Sequence, residues 1–271
     1  MAGSKATAEA IRAHLPMDER LEQPRQLNAL LRHMGQWRSS VLGNTYFRHH
    51  GLTIYAGVFK GMEYLDHSTE GCLLPRLLGC YEQELHDDLQ AFADEGLDAI
   101  VDIGCAEGYY AVGLARLMPE VTVHAYDTEA RARQSCRALA EKNGVSDRIQ
   151  IGETFSGDMF EAFTDRRTLV MIDTEGFEEQ LMRPDEWPAL AKLAVVMETH
   201  PDKHPDIVAT MHQRFSATHD IQVRRTALRV SDLPEWLLAL PQLDQLIATW
   251  EFRATQTPWF VMRPKDWSTA A

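Results

Sequence analysis

Apolar positions along this chain fall into two textures. Over the first 45 residues Ile11, Leu15, Leu21, Leu27, Leu30, Leu31, Met34 and Trp37 recur at three- and four-residue intervals, a helical stripe interrupted by Pro16 and Pro24. From residue 97 onward short apolar runs alternate with amphipathic stretches. The runs at 99–103, 121–127, 148–152, 169–172, 194–198, 221–230 and 259–262 read as strands, and the stretches at 109–118, 129–142 and 206–216 as helices. Between the two textures, Leu52, Ile54, Tyr55, Val58, Phe59 and Met62, punctuated by Gly51, Gly57 and Gly61, predict one or two short strands with a turn. Alternating strand and helix is the signature of an α/β fold. The division expected is an N-terminal helical extension with short strands over 1–70 and a main domain over 71–271. An apolar, tryptophan-containing helical insertion at 231–253 is expected to pack on the core or on a second copy, with a substrate lid as the other reading.

The strand ends carry the chemistry. The run 99–103 contains Asp102, a carboxylate that needs a partner inside an apolar strand. It leads into Gly104-Cys105-Ala106-Glu107-Gly108, a tight turn into a helix. Gly104 lets the chain turn sharply and Gly108 would let the helix start pass close to a ligand. The turn lacks the G-x-G-x-x-G of a dinucleotide site, and Glu107 in it suits a cationic or hydroxylated ligand better than a phosphate. The next strand ends in Asp127, about 20 residues on, where an acid meets ribose hydroxyls. Glu129 is a weaker candidate for that role, and Glu153 and Asp158 follow the third strand. Gly79 would break the chain before Tyr81 and Glu82 and bring both near the same mouth, either as ligand contacts or as a helix start. The fourth strand ends in Asp173-Thr174-Glu175-Gly176, with two acids at alternate positions. The fifth ends in Glu198-Thr199-His200-Pro201.

Asp102-x-Gly104-x-x-x-Gly108 resembles motif I of the class I S-adenosylmethionine (SAM) methyltransferases. Ile172-Asp173-x-Glu175-Gly176-x-Glu178 and the Glu198-x-His200-Pro201 strand end resemble the FkbM-type branch, which largely modifies hydroxyls; the resemblance spans about residues 97–205. It implies a Rossmann-like, seven-stranded sheet whose last pair is antiparallel, SAM as cofactor, and a small-molecule or saccharide acceptor. Under it, Tyr81, Glu82, Asp102, Gly104, Cys105, Glu107, Gly108, Asp127, Glu153 and Asp173 would bind the cofactor, and Asp173, Glu175 and His200 would act on the acceptor. His200, with a reference pKa near 6.5, is expected as a base. The same acids and imidazole could hold a divalent cation, magnesium or manganese, with His204 close enough in sequence to join. A non-catalytic SAM-binding subunit, and transfer to nitrogen or to RNA, are the alternatives.

Composition narrows the setting. Apolar content of 45% and charged content of 25% fit a globular chain, and the net charge of −13 disfavours nucleic acid. Arg224, Arg225 and Arg229 form one basic cluster, read first as a solvated strand edge. Cys72, Cys80, Cys105 and Cys136 show no C-x-x-C spacing and are expected as reduced thiols of a cytoplasmic protein. No apolar run is long enough for a membrane span, and the N-terminus lacks the apolar core of a signal peptide. The N-terminal stripe could pack on the main domain or make a homodimer.

Overall fold

The computed structural model describes residues 8–9, 24–69, 72–227 and 232–267. The apolar runs form one sheet: β1 (Ala99–Ile103), β2 (Thr122–Tyr126), β3 (Ile149–Gly152), β4 (Thr168–Ile172), β5 (Ala194–Glu198), β6 (His219–Arg224) and β7 (Trp259–Pro264). Their order is β3-β2-β1-β4-β5-β7-β6, parallel through β5, with β7 antiparallel to both β5 and β6. This is the expected Rossmann-like, seven-stranded sheet with its last pair antiparallel. The order reverses between β1 and β4, and the crevice outside their carboxyl ends is where open α/β sheets bind ligands.

Helices cover both faces: α1 (Pro24–His50), α2 (Leu73–Leu78), α3 (His86–Glu95), α4 (Tyr109–Leu117), α5 (Ala130–Lys142), α6 (Glu178–Leu181), α7 (Ile207–Phe215), α8 (Glu235–Leu238) and α9 (Gln242–Ala248). Alternation along β1 sorts its side chains into two layers. Ile100 packs in one with Val123, Leu169 and Val112 of α4; Val101 and Ile103 pack in the other with Val170, Phe160 and Phe215. Asp102 has the parity of Ile100 and so faces the α4 layer.

The N-terminal texture resolves differently from the pattern. The helix does not stop near residue 45 but runs to His50, where Gly51 at φ +64° closes it by donating its N–H to the Phe47 carbonyl at 3.0 Å. In place of the expected strands, the segment beyond has one isolated bridge, Thr53 to Glu63. Tyr46 replaces strand pairing as the tie: its hydroxyl bonds the carbonyls of Thr53 and Leu77. Leu42, Tyr46, Ile54, Phe59, Met62 and Tyr64 are buried in the same layer as α4, so this segment and the sheet share a core. Ile11, Leu15, Pro16 and Leu21 of the predicted stripe lie outside the described residues. The insertion packs α9 against α1, where Arg38 donates twice to Asp244 at 2.7 and 2.6 Å. Strand β6 starts two residues early and ends at Arg224, whose guanidinium is held by both oxygens of Asp88 at 2.6 and 2.9 Å. Residues 228–230, the end of that predicted strand, and Arg229 lie outside the described residues. No helix among the described residues is long and apolar enough to cross a membrane.

Candidate active site

The glycine turn is built by contact between β1 and β4. At Gly104 the backbone φ is +84°, and a Cβ would lie 1.7 Å from the Asp173 carbonyl oxygen, so only glycine allows the two strand ends to meet. At Gly108 (φ +92°) a Cβ would lie 2.8 Å from Cys136 Sγ of α5. Gly108 therefore lets α4 and α5 pack closely. Asp102 is 3% exposed and accepts from the Ala111 backbone at the start of α4, yet its Oδ2 has no hydrogen-bond partner. Burial, helped by the negative charge of Asp127, pushes its pKa up to about 7. A cavity of about 30 Å³ lies here, lined by Asp102, Gly104, Cys105, Tyr81, Asp173 and Trp259 among others.

Glu107 does not point its acid at a ligand. Its side chain is fully buried, 3.3 Å from Arg76, and accepts from the Tyr64 hydroxyl, Ser68 and the Thr69 backbone. Burial opposes its charge, but Arg76 and Tyr64 more than compensate and hold the carboxyl below its usual range. The acid pins the segment before α2 onto the turn. Asp127 is half-buried at the end of β2, its two oxygens accepting the N–H groups of Ala106 at 2.9 Å and Glu129 at 2.8 Å. Glu129 itself is exposed. Glu153 is an exposed side chain paired with Arg133 at 2.8 Å, and Asp158 is exposed and bonded to Ser156.

Tyr81 and Glu82 arrive at the mouth as Gly79 predicts. The Tyr81 ring stacks with the Arg76 guanidinium at 4.2 Å, with Arg253 5.9 Å away. Glu82 is buried and occupied by Arg253 and by the Tyr110 hydroxyl. Burial outweighs Arg253 and raises the Glu82 pKa to about 7. Glu82, Ala106 and Glu175 all have positive φ (48°, 47° and 54°), a conformation that non-glycine residues seldom adopt. Ala106 and Glu175 follow the ends of β1 and β4 and Glu82 lies in the loop before α3; each marks backbone strain of about 1–3 kcal/mol, held by the surrounding fold.

The ends of β4 and β5 converge on one imidazole. His200 Nε2 lies 3.4 Å from Glu198, 3.5 Å from Glu175 and 3.7 Å from Asp173, while Nδ1 donates to Glu178 at 3.1 Å. Burial disfavours charge on the ring, but Glu178 and Glu198 outweigh it and raise its pKa to about 11. The acids around the ring thus favour its charged form. Asp173 moves the other way. Burial first, then Glu198 and Glu82, push its carboxyl well above the usual range. His204 does not join the cluster; it donates to the Gly176 carbonyl at 3.0 Å and pairs with Glu179 at 2.9 Å, bracing the loop.

Three residues escaped the sequence reading. Glu178, fully buried, accepts from Thr174, Gly176 and His200 and so sets both the loop and the ring. It stands in the Asp173 motif, and that placement was the available signal. Arg253 bonds Glu82, Glu198 and Glu251, and Arg76 pairs with Glu107. Glu82 and Glu198 lie 171 and 55 residues from Arg253, so no local pattern announces it.

Residues 88–181, about a third of the chain, match the family described as the methyltransferase small domain. The matched stretch runs from α3 through β4 into α6 and so includes the glycine turn and the Asp173 strand end. No curated protein matches it. Among solved structures it is similar to an O-methyltransferase from Bacillus cereus in complex with SAH, at 14% identity over 65% of this chain and 78% of that one, TM-score 0.45. It is also similar to the O-methyltransferase TomG from Streptomyces achromogenes in complex with SAM, at 14% identity over 69% and 81%, TM-score 0.47. A third is a precorrin-6y C5,15-methyltransferase from Geobacter metallireducens, at 13% identity over 67% and 87%, TM-score 0.43.

Proposed function

We propose that this protein is a SAM-dependent methyltransferase of the FkbM kind, transferring a methyl group to a hydroxyl of a small molecule or saccharide. The observation that carries the reading is Asp102 Oδ2, buried and unpartnered at the end of β1 beside the glycine turn. A carboxylate in that state suits a cationic group, and SAM brings an ammonium and a sulfonium. Asp127 has lone pairs left to accept ribose hydroxyls while its backbone bonds hold it in place. Glu153, exposed just beyond the end of β3, would meet the adenine. When bound, SAM supplies an activated methyl, so the protein's own task is to place the acceptor and take its proton. Asp173, whose Oδ1 is buried without a donor at the end of β4, would receive that proton. Glu178 holds His200 in place, and the ring steadies the developing negative charge on the acceptor oxygen. The net charge of −13, with Arg224 already tied to Asp88, favours a small acceptor over nucleic acid.

Calorimetric titration of SAM, S-adenosylhomocysteine and NAD into the purified protein tests the cofactor half. Micromolar binding of both adenosyl ligands and none of NAD is expected. Absence of binding by either adenosyl ligand overturns the reading.

A further inference from the structure

The acids at the ends of β4 and β5 are arranged around a single ring nitrogen. His200 has a side chain 5% exposed, and Glu178 occupies its Nδ1, which leaves Nε2 aimed into the cluster. Nε2 has three carboxylate oxygens at 3.4–3.7 Å and none of these inside the 2.7–3.2 Å range of an ordinary hydrogen bond. Asp173 Oδ1, one of the three, is a buried atom without a hydrogen-bond donor. Ligand atoms of Asp173, Glu175 and His200 all lie within 4.8 Å of one another. Ligands bound at about 2.1 Å around an octahedral ion stand roughly 3.0 Å apart when adjacent and 4.2 Å when opposite, so small side-chain shifts close the shell.

We infer that Asp173, Glu175 and His200 form a site for one divalent first-row transition-metal ion. Glu178 is the positioning residue: a buried carboxylate on the far nitrogen of a ligating histidine fixes the ring and raises its basicity. Glu198, whose other oxygen is held by Arg253 and Thr257, is tethered at the rim. One imidazole among carboxylates selects manganese, iron or zinc over magnesium and calcium, which prefer oxygen alone. Binding exchanges the proton on Nε2 for the ion. In the proposed reaction an ion here would lower the pKa of the acceptor hydroxyl.

The probe is Mn²⁺, added to EDTA-treated, dialysed full-length protein and followed by loss of the free-ion EPR signal. One ion per chain is expected, displaced far more readily by Zn²⁺ than by Mg²⁺. Glu175→Gln, at a side chain 58% exposed and so safe for folding, should weaken binding about tenfold or more, and Glu178→Gln about 10–100-fold. An undiminished free-ion signal up to millimolar Mn²⁺, or equal binding by the wild type and both variants, overturns the site. SAM is titrated into the same preparation. SAM binding without Mn²⁺ binding removes the metal site alone, and Mn²⁺ binding without SAM binding removes the methyltransferase reading alone.

Discussion

The end of β1 and the paired ends of β4 and β5 solve the same problem in opposite ways. Both bury carboxylates at the edge of one sheet. At β1, Glu107 is neutralised by Arg76 while Asp102, five residues earlier, keeps an oxygen with no partner. At β4 and β5, Asp173, Glu175, Glu178 and Glu198 crowd around one histidine, with Arg253 closing the outer side. The difference teaches where ligand chemistry is left open. A buried acid with a cation at its side is structure, and one without is waiting for something.

The comparison breaks most visibly at Asp173. Asp173→Asn should lower turnover by about 10²–10⁴-fold, the usual contribution of a positioned base, with SAM affinity changed only a few-fold. A parallel loss of affinity would mean that Asp173 serves the cofactor first. Next in size is Glu107→Gln, which leaves Arg76 buried beside a neutral partner. We expect a loss of about 3–5 kcal/mol in urea unfolding, the typical cost of breaking a buried pair.

Asp102→Asn should do the reverse. The folded-state pKa lies above the unfolded value, so ionising Asp102 destabilises the fold as pH climbs from about 4 to 7, fully above 7 and not at all below 4. The variant should therefore gain up to about 4 kcal/mol at pH 8, and the gain should vanish near pH 4. The same variant should bind SAM about ten- to a hundredfold more weakly at pH 8, the worth of one charged hydrogen bond. In the wild type, affinity should fall as pH drops below 7, and in the variant that pH dependence should be gone. The smallest effect belongs to Glu153→Gln. Its surface pair with Arg133 should contribute under about 0.5 kcal/mol to stability, and a SAM affinity changed by more than twofold would give Glu153 a direct role.

The strands and most helices were legible because buried parallel strands are written as continuous apolar runs, and the Asn143-Gly144 stop ends α5 as read. The end of α1 was misplaced because a change of texture at residue 45 is weaker than the true stop at Gly51. Asp102, Asp173, Glu175 and His200 could be picked out because each sits at a strand end, where topology brings distant acids together. The partners of Glu107 and His200 were not legible for one reason: the charge of a buried group depends on neighbours far along the chain.

The sequence alone determined the sheet, the glycine turn and which acids reach its edge, since periodicity and steric limits on glycine act locally. Tertiary structure alone decided which acids are spoken for. Arg76 claims Glu107, Arg253 claims Glu82 and Glu198, Glu178 claims one side of His200, and Asp102 is left with an open oxygen. Charge in a buried site is set by every group within a few ångströms, and the chain brings those groups together only when it folds.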